Sequence, residues 1–300
     1  MTNKLRPLLA TEVKNLKDLK LPMLASVKLD GIYALIVDGV IYSRSFKPIK
    51  NKHVQKLFGN HDLNGLVGEL VCGDVYAEDV FRQTTTATMA EDGVNDVKLY
   101  VFDDWSVGDK PYQERYQHYQ RRIKALNHGS IVALEHNMLH TIDEVITALD
   151  KEQKRNGEGI ILRLPSAKWK NGRSTPKSQE SVKLKFFEQQ EYKIVDVVER
   201  MHNANEARVN EMGYTERSSH KDNMIPMNTF GAFVMELQDG RNFNVGSGLG
   251  LTDAVRKEIW NNRDKYIGKI ATVRQMKVGS KNGIPRLPTF VGLRDSEDMS

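Results

Sequence analysis

The chain has 300 residues, 39% hydrophobic and 28% charged, with no apolar run near the ~18 residues that a spanning helix needs, which excludes a helical membrane protein. That length suits a soluble globular protein of two ordinary domains with separate cores. With 44 basic residues against 39 acidic, the net charge is only +5, and the whole-chain charge says little about a nucleic-acid partner.

The N-terminal stretch MTNKLRPLLATEVKNLKDLK has no apolar core before a small-residue cleavage site. The single cysteine, Cys72, forms no internal disulfide, and both features fit a reducing cytoplasmic compartment. LASVKLDGIYALI, from Leu24 to Ile36, reads as two strands joined by a turn, with Lys28 and Asp30 set into an apolar run. Burial and neighbouring positive charge favour the neutral amine, so a lysine at the floor of a basic cleft can be a nucleophile near neutral pH. Lys28 is that candidate, Asp30 shares its face in an extended segment, and Gly31 permits a tight turn or a close approach. Asp38-Gly39, between alternating runs from Ile32 to Ser43, predicts a β-hairpin, so the lysine strand is expected to open an antiparallel sheet.

At the strand exit, SRSFKPI carries Arg44 and Lys47, which suit either a phosphate grip or a solvated rim. Glu69 falls in the middle of the apolar GLVGELV, where a carboxylate needs a hydroxyl, a cation or a metal to offset its desolvation. The threonines of VFRQTTTATM, Val80 to Met89, serve equally as helix-capping groups or as donors to backbone phosphates. KLYVFDDW reads as a buried strand with Phe102 in the core. Tyr112, Tyr116, Tyr119, Ile123 and Leu126 then recur at helical spacing and predict a helix packing an aromatic stripe on the sheet. Thr141 and Glu144 form a capping box for a second helix, with Gly157 suited to its end.

EGIILRLP brackets a strand with Glu158 and Arg163, and charge concentrates from there. Between Ile160 and Phe187 seven basic residues stand against Glu180 alone, a net +6 that exceeds the chain total and marks a phosphate-tracking surface. In SVKLKFF, Lys183 and Lys185 alternate with Leu184 and Phe186, so both ammonium groups face one side of a sheet. From Glu191 onward, short strands with turns between them have the spacing of a small barrel, interrupted by one helix capped by Thr252. The boundary is predicted near Phe187 to Gln190, dividing the chain into 1–188 and 189–300. Arg200 to Met227 is a long polar insertion between the first two barrel strands, of a length that is functional or unstructured. Gly246 to Gly250 lacks the lysine and helix context of a phosphate loop and reads as a turn.

In order, the chain carries KLDG at Lys28, SRSFKPI at Arg44, GEL at Glu69, YVFD at Phe102, EGIILR at Glu158, SVKLK at Lys183 and Lys185, and RLPTFVGLR from Arg286 to Arg294. With PLLA near the start, GRST at Gly172, YIGK at Tyr266 and GSK at Gly279, these motifs resemble the covalent nucleotidyltransferases, specifically ATP-dependent DNA ligases of the minimal two-domain viral type. The resemblance covers nearly the whole chain. It implies an α+β fold: a nucleotidyltransferase (adenylation) domain of antiparallel sheets with flanking helices, then a C-terminal OB-fold β-barrel with a latch-like insertion at about 200–228.

The resemblance further implies an enzyme that uses ATP and a divalent metal, Mg2+ or Mn2+, to seal 3′-OH/5′-phosphate nicks in duplex DNA through lysyl-AMP and DNA-adenylate. It would be a monomer that closes around DNA, in an intracellular setting of viral, phage or bacterial kind. Lys28 would attack the α-phosphate, Ser26 and Phe102 would hold the adenine, and Asp30 and Glu69 would face the ribose. Val27, Gly31 and Arg44 also fall at nucleotide-binding positions. Glu158, with Glu69, would serve the metal, Lys183 and Lys185 would stabilise the α-phosphate, and Arg286 would orient the pyrophosphate. Arg44 and Arg173 would grip the 5′-phosphate of the nick, Phe81 and Thr84 would approach its 3′-OH side, and Arg200 to Met227 would wrap the duplex. Two positions depart from the family pattern: Tyr33 stands where arginine is usual and Val67 where an acid is usual. The alternatives are an RNA ligase or capping guanylyltransferase of the same superfamily, or a binding module without catalysis. RLPTFVGLR and the insertion argue against the first two, and retention of Lys28, Glu158 and both motif lysines argues against the third.

Overall fold

The computed structural model describes residues 5–281 and 283–294, with 277–281 as backbone only, so the side chains of the Gly279 to Lys281 run lie outside the described residues. The chain separates into two compact units, Met1–Phe186 and Phe187–Ser300.

Two main sheets build the first unit. One is four-stranded and antiparallel, in the order Ser181–Lys185, Gly159–Arg163, Met23–Val27, Asn137–Leu139. The other is five-stranded, in the order Val40–Ser43, Ile32–Val37, Leu66–Cys72, Val97–Asp104, Ile131–Ala133, and antiparallel except for its last pair. The predicted hairpin forms between Ile32–Val37 and Val40–Ser43, with Asp38 at φ 50° and Gly39 at φ 75°, as a two-residue turn of left-handed residues requires.

The lysine strand, however, does not join that hairpin. Met23–Val27 and Ile32–Val37 lie in different sheets, and Lys28 to Gly31 cross between them. The Lys28 N–H still bonds the Gly159 carbonyl at 2.9 Å. At Gly31 the backbone is already pressed against the other sheet, where a Cβ would lie 2.1 Å from the Leu70 carbonyl oxygen.

The five-stranded sheet buries Ile36, Leu66, Leu70 and Val101 against Phe58, Tyr119 and Ile123. The predicted aromatic helix, Tyr112–Leu126, supplies Tyr119 and Ile123, and the helix Lys52–Phe58 supplies Phe58. A second core joins Met23, Ile160, Leu162 and Val182 to Val145 of the helix Ile142–Lys154. In that helix the Thr141 hydroxyl accepts the Glu144 N–H at 3.2 Å, and the Glu144 carboxylate returns to the N–H of His140. Val80–Met89 is also a helix. Thr84, expected near a DNA 3′ end, is instead fully buried, and its hydroxyl accepts the Cys72 N–H at 2.9 Å. It is a packing residue because its hydroxyl satisfies a strand end; Phe81, on the same helix, is exposed.

The second unit is a five-stranded antiparallel sheet in the order Asn242–Val245, Met224–Glu236, Phe187–Asn203, Ile270–Lys281, Ile284–Leu293. Ile194, Phe230, Phe233, Val245 and Val273 form its core. A bridge between Gly248 and Phe290 draws its two edges together, as in a small barrel. Thr252 caps the helix Asp253–Asn261 as expected. Phe187 to Gln190, read as a boundary, are already paired with Val273 to Met276. The polar insertion is a built arm: its flanking strands pair as far as Asn203 and Met224, and Ala207–Val209 pairs with Thr215–Arg217 beyond them. Buried Asn205 ties it together, its amide donating to the Ser218 and His220 carbonyls at 3.0 and 2.8 Å. Among the described residues no helix is long and apolar enough to cross a membrane.

Candidate active site

Register in the four-stranded sheet aligns the charged side chains. Ser26 lies opposite Ile161, which lies opposite Lys183; one step along, Gly159 lies opposite Lys185, with Lys28 bonded to the same glycine. Because side chains alternate across a strand, Ser26, Lys28, Ile161, Arg163, Lys183 and Lys185 share one face. They line a pocket of about 190 Å3. Tyr33, Glu69 and Phe102 of the five-stranded sheet also line it, as do Arg44 and Arg173.

Glu158 organises the floor. It is 3% exposed, and its two carboxylate oxygens are divided between two lysines: Oε1 accepts from Lys185 Nζ at 2.6 Å and Oε2 from Lys28 Nζ. Burial pushes the Glu158 carboxyl up, but the two ammonium groups more than offset it and hold the carboxyl below its ordinary range. Burial also lowers Lys185, which the Glu158 charge opposes. Next to Glu158, Gly159 adopts φ +142°, and a Cβ there would lie 2.0 Å from the Leu184 carbonyl oxygen. Only glycine lets this segment approach the strand Ser181–Lys185 so closely. Lys183 pairs with Glu12 at 3.2 Å.

Glu69 pairs in register with Tyr33 and accepts the Gly31 N–H. Burial pushes its carboxyl up to about 8, with the Glu158 and Asp30 charges adding to that and Lys28 opposing it. The two family departures are neighbours: Tyr33 pairs with Glu69 and Leu35 with Val67, so Tyr33 and Val67 are diagonal on one sheet face.

Against Phe102 lies a buried ion cluster. Asp103 holds Arg115 through two bonds, at 2.7 and 3.1 Å, and accepts from Arg163 Nη1 at 3.2 Å. The Arg163 guanidinium sits over the Phe102 ring, 4.9 Å from its centroid. Beside it the two ring nitrogens of His136 lie within hydrogen-bond distance of the Tyr112 and Tyr119 hydroxyls, and burial drives its imidazole down to about 3, so it stays neutral.

Ser26, Val27, Lys28, Arg44, Glu69, Phe102, Arg173, Lys183 and Lys185, all singled out from sequence, meet in this pocket, with Glu158 beneath them. Asp30 and Gly31 lie on the crossing segment, and Arg286 and residues 200–227 belong to the second unit. Sequence reasoning missed Leu8 to Ala10, brought to the rim by parallel pairing of Leu8–Leu9 with Gly172–Arg173. It also gave Arg163 and Tyr33 no ligand role, although alternation from Ile161 to Arg163 already put the arginine on the pocket face. Among the described residues no group of three or more His, Cys, Asp or Glu could hold a metal alone. Mg2+ usually takes one or two carboxylates plus substrate phosphates, and ionised Glu158 fits that role.

A family model described as the ATP dependent DNA ligase domain matches residues 7–185, and one described as a DNA ligase OB-like domain matches 226–294. Two crystal structures of Chlorella virus DNA ligase-adenylate are similar at 26% and 28% identity, each with a TM-score of 0.55, and the alignments cover 96% and 98% of this chain and 99% of the viral one. A structure from work on Lig E DNA ligases shares the fold at a TM-score of 0.70 and 20% identity, covering 96% of this chain and 99% of that one. No curated protein sequence matches. The matched ligase domain spans more than half of the chain and contains every residue of the pocket, and the chain belongs to the ATP-dependent DNA ligase family.

Proposed function

We propose that this ligase seals 3′-OH/5′-phosphate nicks in duplex DNA in three steps, moving one adenylyl group from ATP to Lys28 and on to the 5′-phosphate, and then displacing it as AMP. Lys28 Nζ, having lost a proton to solvent, attacks the α-phosphorus of ATP; an N–P bond forms, the bond to the β-phosphate oxygen breaks, and pyrophosphate leaves. An oxygen of the nick's 5′-phosphate then attacks the same phosphorus and the N–P bond breaks, Lys28 regaining a proton; the 3′-OH finally attacks the phosphorus of the 5′-phosphate, its proton passing to solvent, so that the backbone bond forms as the bond to AMP breaks. One observation carries the reading: Lys28 and Lys185 share the buried Glu158 carboxylate at the floor of a pocket large enough to hold part of a nucleotide.

Phosphoryl transfer asks the protein mainly for positioning and for cations where charge develops. Lys185 and Lys183 meet that need at the α-phosphate. Ser26 and Phe102 take the base, and Glu69 and Asp30 the sugar, where a protonated carboxyl can donate to an oxygen. Glu158 would hold the divalent metal, which when bound polarises the phosphate oxygens. Arg44 and Arg173, both at the pocket, are suited to fork onto a terminal 5′-phosphate, which an intact duplex lacks. Arg286 of the second unit is assigned the leaving pyrophosphate, and the arm at 200–227 the duplex backbone. Incubation with ATP, Mg2+ and a duplex carrying a labelled 5′-phosphate nick tests this. Sealed strand and free AMP are expected from the wild type and neither from Lys28→Ala; sealing by Lys28→Ala would refute the scheme.

A further inference from the structure

Among the described residues, three buried side-chain polar atoms have no hydrogen-bond partner: Ser26 Oγ, Tyr33 Oη and Arg163 Nε. All three residues line the pocket that holds Lys28. Folded proteins keep few such atoms, and three on residues that line one concavity mark groups held for a ligand. Two of them flank one ring: Tyr33 packs on Phe102 at 5.7 Å between ring centroids, and Arg163 lies over it at 4.9 Å. Arg163 cannot swing away, since Asp103 holds its Nη1 and is itself held by Arg115.

The chemistry of the three atoms is unequal. Arg163 Nε–H can only donate, whereas the hydroxyls of Tyr33 and Ser26 can accept. Adenine offers the complement, an acceptor at N1 beside a donating 6-amino group. Guanine reverses both, with an N–H at position 1 and a carbonyl at position 6. We infer that Tyr33 and Arg163 read the base of the nucleotide, Arg163 Nε–H donating to N1 of adenine and the Tyr33 hydroxyl accepting from its 6-amino group. This rests on the proposed use of the pocket for ATP and adds the groups that select it. It also gives tyrosine a task at a position where the resembling family usually has arginine.

The test measures lysyl-AMP-type adduct formation by wild type, Tyr33→Phe and Ser26→Ala, with ATP and with purine riboside triphosphate, which lacks the 6-amino group. Thermal unfolding of each free protein accompanies it. Loss of one hydrogen bond of this kind corresponds to about a tenfold change in binding. Wild type should therefore prefer ATP by about tenfold in KM, and Tyr33→Phe should erase that preference by raising the ATP value alone, with kcat nearly unchanged. Free Tyr33→Phe should unfold at the same temperature as wild type or higher, because the lost hydroxyl has no partner to break from. Retention of the preference by Tyr33→Phe, or its loss in Ser26→Ala instead, would overturn the inference. So would a Tyr33→Phe protein that melts lower and weakens equally toward both nucleotides, which is the behaviour of a structural residue. A wild type that forms no adduct would refute the proposed reaction; the comparison is then read from nucleotide-induced thermal shifts, where Tyr33→Phe must still erase the preference for ATP.

Discussion

Replacing Glu158 by glutamine keeps the shape of the side chain and removes the charge that two lysines share. The glutamine carbonyl can still accept from one ammonium, but its amide then turns two N–H donors toward the other, and two cations are left facing one another in a buried floor. Glu158 is 3% exposed, and the side chains of Lys28 and Lys185 are 18% and 12% exposed. Breaking a buried pair by removing one partner costs about 3–5 kcal/mol. The lysines line an open pocket and can turn partly toward water, so the lower end, about 3 kcal/mol, applies here, or a fall in Tm of about 6–12 °C for a unit of this size.

The pH dependence gives the sharper test. The Glu158 carboxyl is held low in the fold, so its contribution is present above the ordinary carboxylate pKa and is lost as pH falls through the folded value. On the alkaline side, Lys185 is lowered by burial and so gives up its proton below the ordinary lysine pKa, after which it needs no counter-charge. The stability gap between wild type and Glu158→Gln should therefore be widest near neutrality and narrow toward both pH 4 and pH 10, read by urea unfolding at each pH. A gap that is absent, or constant across that range, would refute the bridging role of Glu158.

Gly159→Ala should lower adenylylation by about a hundredfold and melt several degrees lower, because a Cβ 2.0 Å from the Leu184 carbonyl oxygen must push the strand Ser181–Lys185 away; near-normal rates would show that the approach does not matter. Glu69 is raised to about 8, so the fold binds more protons than the unfolded chain between the ordinary carboxylate pKa and that value, and stability is lost as pH rises through this window. Urea titrations should show Glu69→Gln gaining on wild type from pH 5 to pH 8.5; a constant difference would contradict the burial argument. Arg44→Ala and Arg173→Ala should erase the preference for a 5′-phosphorylated over a 5′-hydroxyl nick in binding assays. Replacing residues 204–222 by a tight turn should weaken both nicks and leave their ratio intact, and the reverse pattern would move phosphate sensing into the arm.

Local chemistry was legible where a pattern has only one geometric meaning. Asp38-Gly39 specified its hairpin, Thr141 with Glu144 its helix start, and the alternation of Lys183 and Lys185 their common face. Partner choice was not legible. Alternation in LASVKLDGIYALI is the same whether the two strands pair or part, and what separates them is the contact of Gly31 with Leu70 in another strand. The same limit hid Thr84, whose hydroxyl is used by Cys72, and the ion cluster that fixes Arg163, whose members come from three distant segments. The role of Glu158 as a bridge between two lysines likewise needed the register of Gly159 with Lys185. In the second unit, polarity at 200–227 suggested an insertion without a core. Asn205 gives it a built hairpin through backbone carbonyls, a kind of order that hydrophobic periodicity does not report.

The central claim is that Lys28 carries the adenylyl group. Its most direct measurement is peptide mapping by mass spectrometry after incubation with ATP and Mg2+ in the absence of DNA. One AMP should be found, on the peptide containing Lys28, released when pyrophosphate is added back and absent from Lys28→Ala. An AMP on any other lysine, Lys183 and Lys185 included, or an unchanged adduct in Lys28→Ala, would contradict the account.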